Sequence, residues 1–182
     1  MKEEIISRIQ DDQRENLLKK LFGLLDSDEG RIGADAKDKF GNRFELKSGT
    51  KKSVTTTRDV GVHTLKKWLG KHWIVGFGKI NFGKFEFEEI YYLSPNDMRG
   101  FCQKIEKKIS PDLNIFNEVQ NILKKEKYSS EKIERLKYLV NRGYTLNNPK
   151  IPYKYIVENG VLLKKWNKKI LNEAINLRSK KI

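Results

Sequence analysis

The chain has very few of the residues on which several kinds of chemistry depend. Cys102 is its single cysteine, and His63 and His72 are its only histidines among 182 residues. One cysteine excludes an internal disulfide and a thiolate zinc site. In a predicted helix it reads as a small buried hydrophobe. Two histidines leave a Ser-His-Asp triad arithmetically possible but give almost no material for HNH chemistry or a two-histidine metal site. No apolar run approaches the length of a membrane span, and Met1-Lys2-Glu3-Glu4 does not open a signal peptide. A cytoplasmic protein with no membrane partner is expected. There is no repeat, low-complexity segment or convincing linker, and the length suits one domain with a substantial core.

Positive charge is plentiful. Lys and Arg outnumber Asp and Glu by 38 to 24, a formal +14 with a pI near 9.7. Such a balance favours a polyanion partner, nucleic acid first. A lysine-rich surface with no partner has the same composition.

The most informative stretch runs from Gly33 to Ser48 and reads as two short strands joined by the turn Phe40-Gly41-Asn42. Side chains alternate across a strand, so Phe44 and Leu46 point into a core while Glu45 and Lys47 point together the other way. The hairpin brings Asp35 to that polar face. Two carboxylates and an ammonium on one side of a sheet match a Mg²⁺-dependent phosphodiester hydrolase. Carboxylate oxygens suit a hard cation, a bound metal generates hydroxide, and a nearby lysine offsets transition-state charge. Taken alone, Asp-x9-Glu-x-Lys fits a solvated hairpin face rather better than a site.

Residues 1–28 read as helix, with one apolar patch at Ile5, Ile6 and Ile9 and another at Leu17, Leu18, Leu21, Leu24 and Leu25. A polar break is expected at Gln10-Asp11-Asp12-Gln13 and an end at Asp26–Gly30. After the hairpin, Ser48–Asp59 is rich in hydroxyls and basic groups, the composition of a loop that contacts phosphates and base edges or of an ordinary exposed loop. A short helix over Val62–Lys71 places Leu65, Trp68 and Leu69 on one face. Trp73–Phe77 is apolar enough for the middle of a sheet, and Lys84–Leu93 returns beside it. Ser94-Pro95-Asn96-Asp97 is a strong helix start, which Ser110-Pro111-Asp112 repeats for a second helix carrying Leu113, Phe116, Val119 and Leu123. A third, capped near Ser130, is expected to bury Ile133, Leu136 and Val140. Gly143–Gly160 reads as irregular, because its two prolines oppose a helix and adjacent Asn147-Asn148 suggest a turn. Asparagine is also the side chain that pairs bidentately with adenine. A last helix carries Leu163, Trp166, Ile170, Ala174 and Leu177.

Three separated blocks of this sequence resemble the PvuII type II restriction endonuclease family of the PD-(D/E)xK nuclease superfamily. They are Gly30-Arg31 through Asp35-Ala36 to Glu45-Leu46-Lys47-Ser48; Trp73-Ile74 leading to Ile90-Tyr91 and Leu93-Ser94-Pro95; and Asn147-Asn148-Pro149-Lys150-Ile151-Pro152 with Lys154-Tyr155 and Gly160. The third is the most specific, being long and unusual in composition. The resemblance covers roughly residues 30–105 and 144–160. It implies an α/β (α+β mixed) fold: a central mixed β-sheet flanked by helices, a restriction-endonuclease-like core and a helical N-terminal dimerisation segment. On this reading 1–29 is the dimer contact, 30–105 the catalytic core, 106–142 a helical insertion, and 143–182 the recognition loop with a C-terminal helix.

By the same resemblance Asp35, Glu45 and the Leu46 carbonyl hold Mg²⁺, and Lys47 helps activate or position the attacking water. A homodimer would cut double-stranded DNA at a short palindromic site and leave 5′-phosphate and 3′-hydroxyl ends. Asn147 and Asn148 fall on the family's base-reading asparagine pair, flanked by Lys150, and Asp11 on a DNA-contacting aspartate. The family's base-contacting histidines are replaced by Thr57-Arg58-Asp59, with Thr55 just before them. Arginine pairs with guanine and aspartate accepts from cytosine, so Arg58 and Asp59 are expected to read a G·C pair by different chemistry. A family glutamate before the metal aspartate falls at Ile32, and a tyrosine near the metals at Trp68, which leaves the number of metals open. The competing readings are another PD-(D/E)xK nuclease, for repair or junction resolution, and a non-catalytic basic nucleic-acid-binding protein. The asparagine pair argues against the first; the acid-acid-lysine set has no role in the second.

Overall fold

The computed structural model describes residues 2–28, 33–49, 53–82, 84–125, 129–134 and 146–180. Helix α1 (Lys2–Phe22) is continuous through Gln10–Gln13, where a break was expected. That stretch is polar but holds no glycine or proline to stop a helix. The helix ends early, at Gly23, whose φ of +61° lets the Leu24 N–H reach back to the Lys19 carbonyl at 3.0 Å. Leu18, Phe22 and Leu24 are buried, whereas Leu17 and Leu25 are 39% and 53% exposed. The helix meets the sheet along one narrow stripe, which Leu17 misses by a quarter-turn. The side chains of Ile5, Ile6, Ile9 and Asp11 lie outside the described residues.

Six strands form the main sheet: β1 (Leu25–Asp26), β2 (Ala36–Lys37), β3 (Arg43–Gly49), β5 (His72–Asn81), β6 (Lys84–Leu93) and β8 (Val161–Leu162), side by side in that order. Only β3 and β5 run parallel, joined by a crossover that includes α2 (Val62–Trp68); the sheet is therefore mixed. Strand β5 is central, as its unbroken apolar run predicts. Trp73, Val75 and Phe77 enter one core with Trp68 and Phe101, while Ile74 enters a second with Leu18, Phe22, Phe44 and Leu46. This alternation assigns the two cores to opposite faces. At a bulge between Phe77 and Gly78, a Cβ on Gly78 would stand 2.0 Å from the Glu86 carbonyl oxygen, so only glycine fits.

Helix α3 (Pro95–Lys125) starts as expected: Ser94 donates through its N–H and its hydroxyl to Asp97 Oδ2, both at 2.8 Å. It then runs straight through Ser110-Pro111-Asp112, so the separate second helix does not exist. A proline removes one N–H from the ladder, and the helix formers on either side carry the helix past it. The side chains of Leu113, Phe116, Val119 and Leu123 lie outside the described residues. A short α4 (130–134) follows, with the Ser129 hydroxyl accepting from Lys132 N at 3.4 Å and Ile133 half-buried; Leu136 and Val140 lie outside the described residues.

The segment expected to be irregular contains β7 (Lys150–Pro152) and α5 (Tyr153–Asn159). Both prolines precede the helix, and Pro152 caps it with an extended backbone rather than interrupting it. Helix α6 (Lys168–Ser179) begins after Asn167, whose side chain accepts from Ile170 N at 3.1 Å. Leu163, Leu171 and Ala174 are buried, but Leu177 is exposed. Leu69 likewise turns outward while Leu65 and Trp68 are buried.

Candidate active site

The hairpin of β2 and β3 is set by Asp38. Its carboxylate accepts from the N–H groups of Phe40 and Asn42 at 2.8 and 2.9 Å and from Asn42 Nδ2 at 2.7 Å, while Gly41 takes φ +85°. These bonds organise the turn and fix the register Ala36 opposite Phe44. Just before β2, Asp35 donates its N–H to the Phe44 carbonyl at 2.9 Å, and its Oδ2 accepts from the Leu46 N–H at 2.7 Å. Backbone bonds therefore hold Asp35 against the strand that carries Glu45 and Lys47.

The Lys47 ammonium touches three oxygens: Asp35 Oδ2 at 3.2 Å, Glu45 Oε1 at 3.0 Å and the Leu46 carbonyl at 2.8 Å. Two carboxylates and a carbonyl converging on one positive charge are the oxygen donors that a hard divalent cation takes. Among the described residues no group of three or more His, Cys, Asp or Glu side chains could hold a metal.

Two side chains that the sequence alone did not bring here complete the cluster. Lys71, nearly fully buried between α2 and β5, donates to Glu45 Oε2 at 2.6 Å and to the Gly33 carbonyl at 2.7 Å. Glu15, from α1, stands 3.9 Å from the Lys47 ammonium. It precedes Leu18 and Phe22 on the buried stripe of α1, and an acid in line with core residues was the available signal. Lys71 carried none, because its approach depends on the crossover between β3 and β5.

Burial pushes the Glu45 carboxyl up, but Lys47 and Lys71 outweigh it and hold the group below the usual glutamate range. Burial also opposes the charge on Lys47, yet Glu45, Asp35 and Glu15 together raise it far above the ordinary lysine value. Glu15 goes the other way. Burial, against the attraction of Lys47 and with repulsion from Asp35 and Glu45, pushes it up to about 7.

The acids lie in a cleft of about 380 Å³ whose other wall holds Thr56, Thr57, Arg58, Thr64, Lys67 and Trp68. The loop after β3 is no independent loop. Its β4 (Ser53–Thr55) pairs antiparallel with β7, placing Thr55 opposite Lys150, and the Thr56 hydroxyl donates to the Pro149 carbonyl at 2.6 Å. A bridge between Val60 and Leu146 closes the ribbon. Val54 and Ile151 are buried beneath it, and Thr55, Thr57, Arg58, Asp59, Asn147 and Lys150 stand exposed on it. Asp59 and Asn148, at opposite sides of the ribbon's end, have φ of +52° and +46°, a backbone region that Asp and Asn tolerate better than most residues. One ribbon therefore gathers all the expected base- and phosphate-contacting residues except Asp11, whose side chain lies outside the described residues. Arg58 lines the cleft with the acids, whereas Asn147 and Lys150 line a neighbouring groove with Lys104, Lys108 and Lys154.

A mixed sheet with helices on both sides and an acid-acid-lysine set on a hairpin at a basic cleft defines the class: a restriction-endonuclease-like fold. A family model described as restriction endonuclease PvuII matches residues 1–124. The chain belongs to that family and is a type II site-specific deoxyribonuclease, with DNA as its substrate. The match takes in α1, the hairpin, the cleft and β4, and stops before β7. No curated protein matches the chain. Among the described residues no helix is long and apolar enough to cross a membrane.

Proposed function

We propose that the chain acts as a homodimer that hydrolyses both strands of DNA at a short palindromic site in the presence of Mg²⁺, with Asp35, Glu45 and Lys47 as its catalytic residues. The observation that carries this reading is the convergence of Asp35, Glu45 and the Leu46 carbonyl on a single positive charge at the floor of a basic cleft. Magnesium bound by those oxygens supplies a Lewis acid and an acidified water.

The chain's own residues do the rest. Asp35, held by the Leu46 N–H, and Glu45, held by Lys71, are oriented before substrate arrives, so little reorganisation remains. Lys47, beside Asp35 and Glu45, supplies positive charge near the reacting phosphate and helps activate or position the attacking water. Water adds to phosphorus, the bond to the 3′ oxygen breaks and that oxygen gains a proton, leaving a 3′-hydroxyl and a 5′-phosphate. Arg58 and Asp59 read a G·C pair, Asn147 and Asn148 an adenine, and Thr55, Thr57 and Lys150 set the ribbon on the backbone. Asp11 adds a DNA contact from α1. The N-terminal helical segment makes the dimer contact, so each subunit cuts one strand.

The test is to incubate phage or plasmid DNA with the protein and Mg²⁺ and to sequence the ends. Discrete fragments ending at one symmetric motif with 5′-phosphates support the reading; random nicking or cutting of branched DNA alone rejects it. Lys47→Ala is expected to abolish cleavage while leaving binding to the site largely intact. Sedimentation equilibrium should show a dimer.

A further inference from the structure

We propose that Lys71 is a positioning residue that limits each protomer to one divalent cation, by occupying one of the two oxygens of Glu45. The proposal rests on the reading of Asp35 and Glu45 as metal ligands. The two oxygens of Glu45 are divided between two ammonium groups: Oε1 faces Lys47 at 3.0 Å and Oε2 faces Lys71 at 2.6 Å.

The two lysines are not equivalent. Lys47 sits where Asp35, Glu45 and the Leu46 carbonyl converge, and its side chain is 15% exposed at the cleft, so its flexible stem can withdraw when a cation takes that point. The Lys71 side chain is 3% exposed, and its ammonium is also tied to the Gly33 carbonyl at 2.7 Å. Its backbone is held as well, with the Lys71 N–H donating to the Trp68 carbonyl at 3.1 Å. Lys71 lines the cleft too, but its burial and these bonds hold the ammonium in place.

A buried ammonium is costly to desolvate, and an apolar side chain would fill the same space at less cost if packing were its only task. What the charge supplies is orientation and exclusion. It holds Oε2 of Glu45 and leaves Oε1 toward Lys47, and it places beside the carboxylate a fixed positive charge that repels a second cation. Asp35 and Glu45 are then balanced in number by Lys47 and Lys71, and Glu15, 3.9 Å from the Lys47 ammonium, is a further carboxylate beside them.

The experiment titrates Mn²⁺ into the full chain without DNA, read by calorimetry and by the electron paramagnetic resonance signal of free Mn²⁺. The wild type is expected to take one ion per protomer. Glu45→Gln must lose that ion; if it does not, the reading of the ligands fails, whatever Lys71 does. With the ion dependent on Glu45, two ions per wild-type protomer overturn the proposal for Lys71. Lys71→Gln, which keeps a donor for the Gly33 carbonyl but removes the charge, is expected to raise the stoichiometry from one to two, and a variant still taking one ion overturns the proposal. Should that variant fail to fold, Lys71→Met, which keeps a stem of similar length without the charge, is read in the same way: two ions support the proposal and one overturns it.

Discussion

Replacing Glu15 with glutamine probes the electrostatics of the cleft without touching its proposed oxygen donors. In the folded chain the Glu15 carboxyl stands at about 7 against an ordinary 4.5. At about 1.4 kcal/mol per pH unit, holding this group ionised costs the native state about 3 kcal/mol above pH 7. The side chain is 28% exposed, and relaxation of the water around it lowers this to about 2 kcal/mol. The sign follows from proton counting. Between pH 4.5 and about 7 the native state keeps a proton that the unfolded chain has released, so stability falls as pH rises through this window. Glutamine carries no such proton. Urea denaturation of wild type and Glu15→Gln at a series of pH values should show near-equal stability at pH 4.5. The advantage of the variant should grow to about 2 kcal/mol by pH 8. An offset independent of pH, or a variant less stable at pH 8, would refute the reasoning.

Arg58→Ala should cost about 1–3 kcal/mol of discrimination between the cognate site and the same site with one G·C pair exchanged, measured by binding in Ca²⁺; equal weakening on every sequence would make Arg58 a phosphate contact. Gly78→Ala drives a Cβ to 2.0 Å from the Glu86 carbonyl oxygen at the bulge. It should destabilise the fold by about 2 kcal/mol or more, because the obstacle is backbone. Asp97→Ala removes the cap of α3 and the partner of Arg178 at 3.2 Å. Its loss should be about 2 kcal/mol in denaturant, with α6 exchanging its amide protons faster.

Local chemistry was legible in the sequence and long-range approach was not. Alternation along a strand is a backbone property, so Glu45 and Lys47 could be placed on one side, with Asp35 beside them, from residues 33–48. The Ser94–Asp97 cap and the central position of β5 were readable for the same reason. Lys71 and Glu15 reach the site only because a crossover and a helix bring them there, and neither has a signature within its own few neighbours. The errors over Pro111 and Pro152 both come from weighing a proline by its neighbours alone: Pro111 fits a helix start yet costs a continuing helix a single N–H, and Pro152, taken to oppose a helix, stands before its first turn. Leu17, Leu25, Leu69 and Leu177 share an apolar spacing with buried neighbours and yet are exposed, because a spacing pattern cannot say how wide a stripe the neighbouring element covers.

The ribbon of β4 and β7 has a consequence for how the protein is made. Its two strands are separated in the sequence by α2, β5, β6, α3 and α4, so the ribbon closes through contacts of long range, the kind that form late because the intervening chain must be ordered or looped first. A ribosome delivers the hairpin of β2 and β3 long before it delivers Lys150–Pro152. A nascent or truncated chain therefore carries the acids and lysines of the hairpin without the second strand of the ribbon. The order of synthesis makes the ribbon, and with it the exposed Asn147 and Lys150, the later of the two to be completed.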